Sequence, residues 1–305
     1  MKVLVAIDDA ISAKVVCQFV SNHKWPNDTE LLFAHVIDPT GYDLDNIAFS
    51  DIVHLNVTEA ESEAQNLLNG LAAAIKLSHP KVHCQAQIVK GEPADAIIKL
   101  TQSWKADLLV AGSHGRSGFK RILLGSVSMT LLAKAQCSVL LVKPDLVQSD
   151  ESMNAANKES TPIIGRIIIA IDESEVSDKL VDFVTQHIWS KAAQFKIISV
   201  VQYAHTIGVY PPPDLAGRLG AILEGRRTHM AKAVERLQLA LPKHSVMSEI
   251  VEGDPKQEIS EFAEHWYASL IIIGHHNRKG LEKLFGSTSL ATFCHAQCSV
   301  LMIKS

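Results

Sequence analysis

The sequence predicts an α/β protein made of two tandem, doubly wound domains, each a parallel sheet with helices on both faces. Three observations predict it. The chain has 305 residues, more than one compact α/β unit of about 150 needs and enough for two. Landmarks of the first half return in order in the second. Ala135 to Leu140 recurs letter for letter as Ala296 to Leu301, Gly125-Ser126 as Gly286-Ser287, Gly112 as Gly274, Trp104 as Trp266, Gly91 and Pro93 as Gly253 and Pro255, and Ile7-Asp8 as Ile171-Asp172. Their near-constant spacing marks a duplication. Within each copy, short apolar runs alternate with stretches of helical periodicity, the pattern of strands buried on both faces and joined by crossover helices.

The elements of the first copy follow in order. Lys2 to Ile7 is a β-rich apolar run, read as a buried strand by its length and composition. Ile11, Val15, Val16, Phe19 and Val20 then keep helical spacing. Leu31 to Ile37 is a second strand, Thr58 to Leu77 a long amphipathic helix rich in Ala, Glu and Leu, and Val82 to Val89 a third strand. Glu92 to Trp104 is a helix opened by Pro93, which suits a first helical turn. Leu108 to Ala111, Ser126 to Ala135 and Ser138 to Val142 complete the copy as strand, short helix and strand. The stretch from Pro144 to Pro162 is polar and has few apolar anchors, so it reads as a linker. The expected organisation is a first domain over 1–144, a linker over 145–162 and a second domain over 163–305.

Composition narrows the function. Apolar residues make up 47% and charged residues 20%, which suits a globular chain with real cores. The net charge of −4 leaves no basic footprint for nucleic acid. No stretch reaches the roughly 18 to 20 apolar residues of a membrane span, and the apolar run at Val3 to Ile7 is too short for the core of a signal peptide. With five cysteines, an odd number, reduced thiols and a cytoplasmic location are expected.

The informative stretch is Gly112-Ser113-His114-Gly115, nine residues, then Gly125-Ser126-Val127-Ser128. It follows the fourth strand and opens a helix. Glycines let the backbone turn tightly and approach a ligand. The unsatisfied N–H groups and positive dipole end of a helix start attract phosphate, and Ser126 and Ser128 add hydroxyls. In open α/β sheets ligands sit outside the carboxyl ends of strands. Asp8 occupies such an end after the first strand, where its carboxylate can accept from a ribose hydroxyl or an adenine amino group. The loop is not a Walker A sequence, because no Gly-Lys-Ser/Thr follows, and it is not the dinucleotide turn, which follows a first strand.

The glycine loop, together with the Val-Ala-Ile-Asp opening, Gly91-x-Pro93 after the third strand and the Ser-Val-Leu-Leu-Val final strand, resembles the ATP-binding pattern of the universal stress proteins. The resemblance covers both halves apart from the linker. It implies five-stranded sheets of order 3-2-1-4-5, adenine near the ends of strands one and two, and phosphates on the glycine loop. The matching positions in the first domain are Asp8 and Val36 for adenosine, Ala111, Gly112, His114 and Gly115 for ribose and phosphate, and Gly125, Ser126, Val127 and Ser128 for the helix start. The second domain is degenerate: Asn277 stands where the second glycine belongs, and only eight residues separate it from Gly286. Asp172, Val200, Gly274, Gly286, Ser287, Thr288 and Ser289 remain as its matching positions.

Other features carry no expected chemistry. Cys294, His295 and Cys298 invite a zinc reading, but Cys137, the counterpart of Cys298, has no partner matching Cys294, so a core thiol is expected and no metal site. Trp104 and Trp266 read as packing residues, and Arg116, Lys120 and Arg121 as solvated charges or phosphate contacts. The expected function is that of an adenine-nucleotide-binding stress regulator or sensor, with ATP, with or without Mg, held mainly in the first domain. A ligand-free interaction scaffold and a weak ATPase are the alternatives. No catalytic base can be named, so slow incidental hydrolysis is the most that is expected of catalysis. The apolar fifth strands, Ser138 to Val142 and Ser299 to Ile303, predict pairing of the two domains within the chain, with a further homodimer left open, because exposed strand edges associate.

Overall fold

A computed structural model describes residues 1–8, 10–38, 50–113, 124–143, 164–202, 215–275 and 287–304. The chain divides into two compact units, Met1–Lys143 and Pro144–Ser305. The expected linker lies almost wholly outside the described residues.

Unit 1 runs β1 (Lys2–Ile7), α1 (Ala10–Asn22), β2 (Glu30–Ile37), α2 (Ser50–Ser78), β3 (His83–Lys90), α3 (Pro93–Trp104), β4 (Leu108–Gly112), α4 (Ser126–Lys134) and β5 (Ser138–Val142). Every pairing is parallel and the order within the unit is β3-β2-β1-β4-β5. Unit 2 repeats the scheme with β6 (Arg166–Ala170), α5 (Glu175–Gln186), β7 (Gln194–Val201), α6 (Leu215–Ala240), β8 (Ser245–Glu252), α7 (Pro255–His265), β9 (Leu270–His275), α8 (Ser287–His295) and β10 (Ser299–Lys304). Its order is β8-β7-β6-β9-β10, again parallel.

The central strands are apolar because helices cover both of their faces. Val3, Leu4 and Val5 in β1, Leu109 and Val110 in β4, and Ile167, Ile168 and Ile169 in β6 are fully buried. Most elements fall within a residue or two of the expected bounds. Helix α2 is the main difference, starting at Ser50 and not Thr58. No Gly or Pro interrupts 50–57, so nothing in that stretch stops the helix from extending.

The two copies share local devices. The Glu92 side chain caps α3 by accepting from the N–H groups of Ala94 and Asp95, and Pro93 takes the first turn. Asp254 and Pro255 do the same for α7, with one side-chain bond to the Lys256 N–H. These bonds satisfy donors that a helix start otherwise leaves open. Trp25 Nε1 donates to Val20 O and Trp189 Nε1 to Val184 O, closing the turn after the first helix of each unit from inside the core.

The chain passes β1, β2 and β3 on one side and returns to β4 on the other, so the strand order reverses between β1 and β4. The register Ala6↔Ala111 brings Asp8 and the Gly112-Ser113 turn to neighbouring strand ends at that reversal. In unit 2 the register Ala170↔Ile273 brings Asp172 beside Gly274 in the same way. A crevice at the carboxyl ends of strands, at the switch point, is where this architecture binds ligands.

Candidate functional site

In unit 1 the site is assembled from three strand ends and one helix start. Asp8 follows β1 and is exposed, and among the described residues nothing bonds to its carboxylate. Val36 is half-buried near the end of β2, paired with Val89. His35 beside it donates from Nδ1 to Ile7 O at 2.8 Å, tying the ends of β1 and β2 together and specifying the Nδ1–H tautomer. Ala111 is buried and Gly112 half-buried at the end of β4. The chain leaves β4 at Ser113, whose N–H donates to Val142 O at 3.1 Å.

The start of α4 is open. Gly125 is its N-cap, with φ −62° and ψ 154°, and no side chain caps the helix. The first helical bond is Met129 N–H to Gly125 O. The N–H groups of Ser126, Val127 and Ser128 therefore have no partner within the helix. Among the described residues nothing lies within 4 Å of where a Gly125 Cβ would point. Ser126 is exposed, while Ser128 is buried and its hydroxyl donates to Gly112 O at 3.3 Å. Ser128 thus pins the helix start to the end of β4, and its hydroxyl hydrogen faces the protein and not the crevice. His114, Gly115, Arg116, Lys120 and Arg121 lie outside the described residues.

In unit 2, Ser289 repeats the pin, donating to Gly274 O at 2.8 Å. Ser287 is exposed and Thr288 half-buried at the start of α8, and Val200 is half-buried near the end of β7. Asn277 and Gly286 lie outside the described residues. Gly274 also has a packing reason to be glycine. A Cβ there would meet Val176 Cγ1 at 2.5 Å, so the missing side chain is what lets α5 pack on β9. Asp172 also differs from Asp8, because its Oδ1 accepts from the Ser174 N–H at 2.9 Å, the Ser174 hydroxyl and the Ser177 hydroxyl at 3.0 Å.

Lys2 lies over Trp104 and Lys196 over Trp266, at 5.3 Å in each case. The five cysteines form no disulfide. Among the described residues no group of three His, Cys, Asp or Glu side chains is placed to hold a metal ion, and no helix is long and apolar enough to cross a membrane. Sequence reasoning missed His35, Ser174, Ser177, Ser199 and Arg226. Comparing the two copies position by position would have exposed all five, because Ala10, Ala13, His35 and Ala64 stand in unit 1 where Ser174, Ser177, Ser199 and Arg226 stand in unit 2.

A parallel, doubly wound sheet in each unit, with an uncapped helix start and an exposed acidic strand end in the first, defines a two-copy α/β protein. The universal stress protein family profile matches residues 1–143 and again 164–304; the chain belongs to that family and carries its domain twice. A universal stress protein of Synechocystis is 30% identical over 151 residues, covering 47% of this chain and 97% of that protein. One from Mycobacterium tuberculosis is 24% identical over 244 residues, 77% of this chain and 75% of that one. Among solved structures, a universal stress protein from Archaeoglobus fulgidus superposes with a TM-score of 0.63 at 21% identity, covering 99% of this chain and 96% of that one. At that identity the likeness supports the fold.

Proposed function

We propose that the chain binds an adenine nucleotide, ATP in the first instance, in the crevice of unit 1 and acts as a nucleotide-dependent regulator or sensor in the stress response. The observation that carries this reading is the uncapped start of α4 behind Gly125. Its free N–H groups and positive dipole end favour a phosphate group, and the open space at Gly125 leaves room for one. Across the switch point, the exposed Asp8 carboxylate is available to a ribose hydroxyl or an adenine amino group. Val36 offers an apolar side chain to the base. Ala111 and Gly112 form the floor between the two ends. Ser126 and the N–H groups of Val127 and Ser128 face the phosphates, and Mg accompanies ATP without a dedicated protein cage. The reading is of a binding protein in the cytoplasm, with phosphate release from ATP no faster than incidental.

The test is Gly125→Val in the full chain. Its φ and ψ suit a β-branched residue and its Cβ meets no atom of the described residues, so the fold should survive. Its methyl groups would occupy the space that a phosphate needs. Losing two charge-assisted hydrogen bonds of about 1.5–3 kcal/mol each weakens ATP roughly a hundredfold or more. Calorimetric titration with ATP checks this, and unchanged affinity in a folded variant defeats the assignment.

A further inference from the structure

The strand ends of unit 2 carry a set of side chains that unit 1 lacks. Arg226 reaches down from α6 and donates from Nη1 to Ser199 Oγ on β7 at 2.8 Å. Its Nε lies 3.7 Å from Glu173 Oε1, in the turn after β6. The guanidinium therefore bridges the carboxyl ends of β6 and β7. It is largely buried, its side chain only 20% exposed, and Ser199 beneath it is 1% exposed. The neighbouring Gly225 keeps α6 close to the same turn, since a Cβ there would stand 3.0 Å from Glu173 Oε1.

Asp172, one residue before Glu173, is turned inward as well. Besides the three bonds to its Oδ1, its own N–H donates to Ser177 Oγ at 2.9 Å. The acidic end of β6 is thus engaged by the turn after it and by the first turn of α5, whereas among the described residues nothing bonds to the Asp8 carboxylate. The difference traces to four positions, one of them His35 of β2, which stands where β7 has Ser199. The buried pairs Leu68/Met230 and Ile75/Leu237 align α2 with α6 and put Ala64 opposite Arg226. The equivalence of Asp8 and Asp172 puts Ala10 and Ala13 opposite Ser174 and Ser177. Alanine can neither bridge two strands nor hold a carboxylate.

We propose that Arg226, Ser174 and Ser177 decide which crevice admits a nucleoside: they latch the β6–β7 end of unit 2 against base and ribose, and the three alanines leave unit 1 open. This rests on the reading of unit 1 as an adenine-nucleotide site. Entry of a base between β6 and β7 would have to break the Arg226 bridge, and a ribose hydroxyl would have to compete with two serine hydroxyls and a backbone N–H already seated on Asp172 Oδ1. The latch acts at the nucleoside end, apart from the glycine loop where the second copy has Asn277.

The experiment transplants the alanines. The full chain carrying Ser174→Ala, Ser177→Ala and Arg226→Ala is compared with the wild type by equilibrium dialysis against ATP, with circular dichroism to confirm folding. The expected result is one more equivalent of ATP bound per chain, or at least tenfold tighter binding at a second site. The same number of equivalents at the same affinity in a folded variant overturns the proposal. The reciprocal variant, Ala10→Ser, Ala13→Ser, His35→Ser and Ala64→Arg, which supplies the counterpart of Ser199 as well, should weaken ATP binding by unit 1 at least tenfold; unchanged binding there overturns the proposal even if the first variant fails to fold. A wild type that binds no ATP refutes the unit 1 reading by itself, and gain or no gain in the alanine variant still decides the latch.

Discussion

Single side chains in this protein take their properties from burial. His187 stacks on Phe183 with ring centroids 3.6 Å apart and donates from Nδ1 to Phe183 O. Burial holds its pKa below the ordinary 6.5, and the bond to the Phe183 carbonyl offsets that only in part. The folded state therefore takes up this proton less readily than the unfolded chain does. The stability it contributes is present above pH 6.5 and is lost as pH falls through the lower folded-state value. Urea unfolding at pH 7 and pH 5 should show the midpoint falling on acidification, and His187→Gln should flatten that fall; an identical fall in the variant would show that His187 contributes nothing to it. Cys17, in α1, is shifted the opposite way in sign and by the same cause, its thiol pushed up to about 11 by burial. Since the thiolate is the reactive form, Cys17 should resist iodoacetamide at pH 8 in the native protein and react once the chain is unfolded, read by mass spectrometry of the alkylated peptides. Rapid native labelling at Cys17 would contradict its burial.

At the scale of elements, the turns after the third strand of each unit depend on glycine. Gly91 and Gly253 have φ of +136° and +145°, and their N–H groups donate to Ile37 O and Val201 O. Each residue thus ends one strand, bonds back to the neighbouring strand and starts the approach to a capped helix. A side chain at Gly253 would also run into Glu258. Gly253→Ala should cost on the order of 1–3 kcal/mol through the backbone alone, lowering Tm by about 2–4 °C per kcal/mol for a unit of this size. Gly220→Ala is the control of opposite sign. Gly220 is exposed within α6 with nothing within 4 Å of its would-be Cβ, so alanine should add about 0.5–1 kcal/mol by helix propensity. Thermal unfolding of the two variants separates the effects, and a Gly253→Ala protein as stable as the wild type would remove the backbone argument.

For the whole molecule, duplication without identity is the main consequence. Two copies of one sheet offer two switch-point crevices, yet only the first presents an open carboxylate. Titration with ATP should give fewer than two equivalent sites per chain, and two indistinguishable sites would contradict the asymmetry. The pairing of domains expected from the apolar fifth strands is a separate question for measurement. Spin labels at Leu141 and Met302 on a cysteine-free background should report a short, narrow distance distribution if the chain pairs its own fifth strands. A broad distribution well beyond about 30 Å would exclude it.

Much of this was legible in the residues. Strands and helices follow local periodicity, and a repeated landmark such as Gly112 and Gly274 needs no coordinates to be seen. The strand end at Gly112 and the helix start at Ser126 were legible for the same reason, because each depends on a short stretch of chain. What only the tertiary structure decided are the partners. Ser128 reads as a phosphate donor until its hydroxyl is seen to bond Gly112 O, across a loop and a strand end. Gly274 shows its packing role only when Val176 is seen where its side chain would go. Arg226 reads as one more charge on a helix, yet it reaches a strand end by bonding Ser199, which precedes it by 27 residues. Hydrogen-bond partners and steric room depend on how helices settle on the sheet. That packing brings together residues far apart in the chain, and no pattern along one element encodes it.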